Sequence, residues 1–222
     1  LKLCAVVEII GGSVALPMES IESRSPELSQ SDATGKAANQ EADLQDVSCC
    51  LKGDSEAYTR LVQRHQELIA VRMWRFTRDK HAHRELVQEV FVEAYLSLKK
   101  YRAEAPFEHW LSRIATNVGY RYWKTRSRDR ARLSVPVEEL NELAAVEPED
   151  IDPSWAADIL QAILEQLPPR DRLALTLRYI EDRSVEETAA LTGWTHSMVK
   201  VQAWRARKKL RKLLQAAGVE VE

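Results

Sequence analysis

Chain breakers and crosslinking residues are scarce: the 222 residues include seven Gly, eight Pro and three Cys. So few turn formers argue against a β-rich fold and leave long helical patterns to dominate the middle and end of the chain. Cys4, Cys49 and Cys50 show no CxxC spacing and no even-numbered set. They fit a reducing compartment, the cytoplasm, and are poor candidates for a shared metal. A Gly-rich phosphate loop, a nucleophile elbow and a His/Glu metal motif are all missing, so nothing argues for catalysis, a cofactor or a metal. His81 and His83 have no third ligand nearby and diverge on a helix; His65 falls on the apolar face of its own helix. Long hydrophobic runs are missing too. The opening LKLCAVVEIIGGSVALPMES is broken by Glu8 and Gly11-Gly12, and it has no clustered basic start or small-residue cleavage site, so it reads as neither signal peptide nor membrane anchor. Leu1 rather than Met opens the chain, which makes Met18 a candidate start.

A net charge of −2 and a pI near 6.3 offer no bulk argument for nucleic acid. The distribution of charge does. Asp129 is the only acid between Arg113 and Arg132, and Lys200 to Lys212 contains none, whereas Val135 to Asp158 carries many Glu and Asp without Lys or Arg. Two basic surfaces are thus separated by an acidic stretch.

The stretch from Glu85 to Arg132 organises the chain. Leu86, Val87, Val90, Phe91, Ala94, Tyr95 and Leu98 recur at helical spacing, with Gln88, Glu89, Glu93 and Ser97 on the other side. Lys99 to Pro106 interrupts the period before Phe107, Trp110, Leu111, Ile114, Ala115 and Val118 start a second helix. Past Asn117 that helix carries Tyr120, Tyr122 and Trp123 among Arg121, Lys124, Arg126, Arg128, Arg130 and Arg132. Flat π faces interleaved with cations suit a nucleic-acid strand whose bases stack and whose phosphates need neutralising. Tyr101, Phe107 and Trp110 also have a plain reading as core residues.

The helical signal returns from Trp155, with Ile159, Leu160, Ile163, Leu164 and Leu167, and stops at Pro168-Pro169. Leu173, Ala174, Leu177 and Ile180 mark the next helix, and Ser184-Val185-Glu186-Glu187 has the form of a capping box opening a short one. Gly193 makes a tight turn, and Thr195 caps a long basic helix through about Leu214. This is the helix-turn-helix layout, whose second helix enters a major groove. Met198, Val199, Ala203, Ala206 and Leu210 suit its core side. His196, Ser197, Lys200, Val201 and Gln202 occupy the base-reading turns, followed by Arg205 and Arg207. Gln202 pairs naturally with adenine, and Lys200 with guanine or phosphate.

The predicted fold is therefore all-α, with two small helical domains joined by a flexible acidic linker and the second domain a helix-turn-helix. Residues 1–46 form an N-terminal extension, disordered or weakly helical for want of aliphatic periodicity. Order is predicted from Val47, with Asp54 capping a helix that carries Ala57, Leu61, Val62, Leu68, Ile69 and Met73. The first domain spans 47–132, the linker 133–154, the second domain 155–216 and a tail 217–222.

Three phrases resemble the sigma-70 family of bacterial RNA polymerase initiation factors, specifically its small two-domain extracytoplasmic-function group. ELVQEVF at Glu85 to Phe91 resembles the polymerase-binding helix, and FEHWLSRIATN at Phe107 to Asn117 the promoter-melting segment. The helix-turn-helix is similar at Leu167-Pro168 and from Gly193 to Leu210. Departures fall at Glu85 and Arg121, where relatives often carry Asp, at Lys124, where Arg is frequent, and at Val201 and Gln202, which replace Ser and Arg.

The resemblance implies a non-enzymatic promoter-specificity factor that binds the β′ and β subunits of core RNA polymerase and promoter DNA. Polymerase contact falls to Glu85, Gln88 and Glu89. Contact with the −10 strand falls to Tyr101, Phe107, Asn117, Tyr120, Arg121 and Lys124, and the −35 element to Thr195, His196, Ser197, Lys200, Val201, Gln202, Arg205 and Arg207. The resemblance also implies an anti-sigma protein that sequesters the two domains, and a linker that threads the RNA-exit path. From the residues alone, a conventional helix-turn-helix regulator with an N-terminal sensing or dimerisation domain is the alternative.

Overall fold

The computed structural model describes residues 26–133 and 162–216; the apolar opening, the linker from 134 to 154 and the tail 217–222 lie outside them. Among the described residues every regular element is helical. The chain divides into two units, with the boundary between Arg121 and Tyr122.

In the first unit, α1 (Pro26–Leu51), α2 (Ser55–Met73), α3 (Lys80–Ser97) and the start of α4 (Phe107–Leu133) follow one another, with a 3₁₀ turn at Leu98–Lys100. Asp54 and Asp79 cap α2 and α3, each accepting from two backbone amides of the first turn. The periodic residues become core: Leu61, Ile69, Met73, Leu86, Val90, Ala94, Leu111 and Ala115 are all buried. Helix α1 begins at Pro26, well before Val47, so over 26–46 the chain takes the helical form of the two expected there. The anchor there is polar, which is why no aliphatic period announced it. Asp43 and Asp46 are buried on α1 and bind α2. Arg60 Nε donates to Asp46 Oδ1 at 2.8 Å and Arg64 Nη2 to Asp46 Oδ2 at 2.7 Å, while Arg64 and His65 both meet Asp43. Burial pushes the Asp46 carboxyl up, but the hydrogen bonds from Arg64 and Arg60 outweigh it, and the net pKa lies below the ordinary value. This contribution to stability is present above the unfolded pKa and is lost as pH falls through the lowered folded one.

The second unit contains the end of α4, a helical turn over 162–165, and α5 (Pro169–Leu175) running into a π-helical turn, Thr176–Ile180. α6 (Val185–Thr192) and α7 (His196–Ala216) complete it. Its core joins Ile163, Leu164, Leu167 and Leu175 to Ala206, Leu210 and Leu214 of α7. The capping box forms as the sequence predicts: Glu187 N donates to Ser184 Oγ at 3.0 Å, and Ser184 N to Glu187 Oε2 at 2.8 Å. That backbone bond holds the Glu187 carboxyl below its usual range, with help from Arg183. Gly193 closes α6 at φ 73°, a left-handed conformation that glycine adopts without Cβ strain. Ser184→Ala should cost the second unit about 1 kcal/mol in a denaturant titration, since one amide at the start of α6 loses its acceptor.

Candidate polymerase and nucleic-acid interfaces

α3 buries Leu86, Val90 and Ala94, which aims the opposite face outward. Glu85, Gln88 and Glu89 are exposed, as expected. So are three large apolar residues farther along: Val92 at 57%, Tyr95 at 58% and Leu96 at 75% exposure. Tyr95 was expected on the buried side; instead its ring meets Tyr58 edge-on, 4.9 Å between centroids, at the rim. Gln88, Val92 and Leu96 are four residues apart and share one stripe. Sequence reasoning missed Val92 and Leu96, although both depart from the buried period. Arg121 of α4 reaches this helix, with Nη2 2.9 Å from Glu89 Oε1 and also bonded to Glu93. Both partners of the Arg121–Glu89 pair are about half exposed, so the bond is worth at most about 1 kcal/mol and is exchangeable.

Phe107, expected to contact the −10 strand, is a core residue of the first unit. Its side chain is 2% exposed, and its ring packs against His65, Tyr101 and Trp110 at centroid distances near 5.4 Å. It opens α4 on the helix face that seals the core. Tyr101 is half-buried, donates its hydroxyl to Ala105 O at 2.8 Å, and has its phenol pushed up by burial. Asn117, Arg121 and Lys124 are exposed and Tyr120 is half-buried; three- and four-residue steps place these four on one face of α4. Trp123 is core in the second unit, 3% exposed, with the Arg172 guanidinium 4.0 Å over its ring. Burial lowers the pKa of Arg172 to about 10.

α7 buries Val199, Ala203, Ala206, Leu210 and Leu214. Met198, expected on that side, is 39% exposed because one step round the helix carries it off the buried stripe. Thr195 serves the helix end: its Oγ1 accepts from Met198 N at 3.2 Å and shares a hydrogen bond with Ser197 Oγ at 3.0 Å. His196, Ser197, Lys200, Val201 and Arg205 are exposed, and Arg207 is half-buried, 5.9 Å from the Tyr179 ring centroid. Gln202 is engaged within the protein. Its amide donates to Oδ1 of buried Asp171, whose Oδ2 accepts from Lys209 Nζ at 2.5 Å. Lys208 Nζ sits 4.3 Å over the exposed Trp204 ring, adding charge to the same surface. Arg170, Ser197, Met198, Val201, Gln202 and Arg205 line a shallow open concavity of about 330 Å³.

Among the described residues, no cluster of three or more His, Cys, Asp or Glu is arranged to hold a metal ion, and no helix is long and apolar enough to cross a membrane. His81 lies 3.3 Å from Glu85, while His83 bonds Ala70 O at 2.8 Å and stacks on Trp74.

The profile of Sigma-70 region 2 matches residues 61–129, and that of Sigma-70, region 4 matches residues 157–210. The RNA polymerase sigma-H factor of Pseudomonas aeruginosa is 31% identical over 185 residues, covering 79% of this chain and 95% of that protein. The ECF RNA polymerase sigma-E factor of Escherichia coli is 30% identical over 174 residues, covering 74% of this chain and 90% of that protein. Among solved structures, CnrH in complex with the cytosolic domain of CnrY aligns with a TM-score of 0.52 at 28% identity, covering 81% of this chain and 98% of that one.

Proposed function

The chain belongs to the extracytoplasmic-function group of sigma-70 RNA polymerase sigma factors, and from that premise we propose how its surfaces divide the work of initiation. As a sigma factor it binds core RNA polymerase, recognises the −10 and −35 promoter elements and promotes melting of the duplex. The domain over 47–132, together with the α1 segment that anchors it, docks on the β′ subunit through Glu85, Gln88 and Glu89 and the adjoining Val92 and Leu96. The same domain takes the melted −10 strand along Asn117, Tyr120, Arg121 and Lys124, with Tyr101 at its edge. Extruding a base costs a few kcal/mol, and one stacking contact returns about 1–3 kcal/mol. The domain over 155–216 reads the −35 element with α7, and the linker 133–154 spans the two domains through the RNA-exit path.

The observation that carries this reading is the outward stripe of α3, where acidic and amide groups run into exposed aliphatics on an otherwise well-buried helix. Val92, Tyr95 and Leu96 bring three large exposed apolar side chains together within five residues, a cluster that suits a protein partner better than solvent. The factor works in the cytoplasm, where polymerase is, and has no catalytic step of its own. An inhibitory protein that covers its domains is the further partner, a reading supported by the CnrH complex with a cytosolic domain.

The test is transcription by core polymerase from templates randomised over the promoter region, with and without the purified chain. Two enriched motifs at fixed spacing, dependent on the chain, are expected. Duplex binding without factor-dependent transcripts would point instead to a conventional regulator acting through α7 alone.

A further inference from the structure

Val201 stands about 200° round α7 from the buried Val199, facing straight out from the core at the centre of the base-reading turns. It is 46% exposed, with Met198 at 39% beside it in the same concavity. The one long uncharged hydrogen-bonding side chain adjoining it, Gln202, is turned inward and donates its amide to Asp171. The middle of the reading surface is therefore apolar, while Arg170, Lys200 and Arg205 supply positive charge around it.

Polar base edges suit such a surface badly, because each would lose its water without gaining a partner. The major groove offers one apolar feature, the C5 methyl of thymine. We propose that Val201, with Met198 as its neighbour, selects a thymine methyl in the −35 element, and that Gln202 is a positioning residue for this turn rather than a reader of adenine. The basic rim fits DNA in particular as the occupant, since it matches the phosphates on either side of the groove. The inference rests on the sigma-factor reading, which supplies the duplex, and adds the base that α7 selects.

The test uses the full chain, alone and with core polymerase, on a promoter duplex recovered from the randomised library. Each −35 thymine is replaced in turn by 2′-deoxyuridine, which removes only the methyl group. Loss of one buried methyl should weaken binding about fourfold at one or two positions. Placing 5-methylcytosine at such a position should bind more tightly than cytosine. Val201→Ser, a change on an exposed helix face, should bind the unmodified promoter with the same loss and show no further loss with deoxyuridine, because the two changes remove one contact. Indifference to deoxyuridine at every −35 position would overturn the inference, as would an undiminished deoxyuridine effect in the Val201→Ser protein. A deoxyuridine effect that Val201→Ser abolishes, in binding that gains nothing from core polymerase, would support the methyl contact and count against the initiation reading.

Discussion

Gly119→Ala should destabilise the first unit by about 3 kcal/mol, although the same change on an exposed helix normally stabilises by 0.5–1 kcal/mol, roughly the helix preference for alanine. Gly119 lies inside α4, where its backbone asks for no glycine, so only space opposes a side chain. A Cβ at this position would fall inside the contact radius of three ring atoms of Phe76, Cγ, Cδ1 and Cε1. Phe76 is 2% exposed and among the largest fully buried side chains, so its ring has no solvent to retreat into. Either the ring leaves its rotamer or α4 moves off the core, and both loosen the helix that carries Asn117 to Arg121. Urea denaturation followed by circular dichroism reads the loss directly. Pairing Gly119→Ala with Phe76→Leu should cost less than the two single changes summed, because the smaller side chain vacates the contested volume. A Gly119→Ala protein as stable as the parent would show that the helix and ring are not in close contact.

Leu96→Asp should have the opposite signature: factor-dependent transcription and core-polymerase binding fall about thirtyfold or more, the loss expected of an interface hot spot, while the melting temperature holds. At 75% exposure Leu96 contributes almost nothing to the core, so a carboxylate there stays hydrated in the free protein. Against a partner it must be desolvated without a counter-charge, on a stripe already acidic at Glu85 and Glu89. Duplex binding through α7 should be unchanged. Val71→Asp is the control, since Val71 is also an exposed aliphatic residue, at 57%, but on α2. Equal loss for the two variants, or none for either, would remove the α3 stripe as the polymerase surface.

A third consequence concerns Arg121, which stands where relatives often carry Asp. Its pairing with Glu89 and Glu93 links the helix proposed for polymerase to the one proposed for the −10 strand. An exposed ion pair of this kind gives way readily when a phosphate competes, so the pairing and a DNA role for Arg121 are compatible.

The sequence by itself determined what depends on near neighbours. Helices α2, α3, α4 and α7 announce themselves in apolar periods, because one buried stripe is enough to select the helix and its facing. Asp54, the Ser184–Glu187 box and Gly193 are legible for the same reason: a cap or a left-handed turn is made by residues three or four apart. The family phrases in α3, α4 and α7 carried the function. Tertiary structure alone decided which side chains remain free to act. α1 meets α2 through Asp43 and Asp46, whose partners lie on that other helix, and polar anchoring leaves no hydrophobic period to read. Phe107 is withdrawn into the core by His65 and Trp110, Gln202 is taken by Asp171 across 31 positions, and Arg121 is held by Glu89 across 32. Burial and pairing of this kind are set by what arrives from distant parts of the chain, so identical local patterns yield a core residue in one place and a reader of DNA in another.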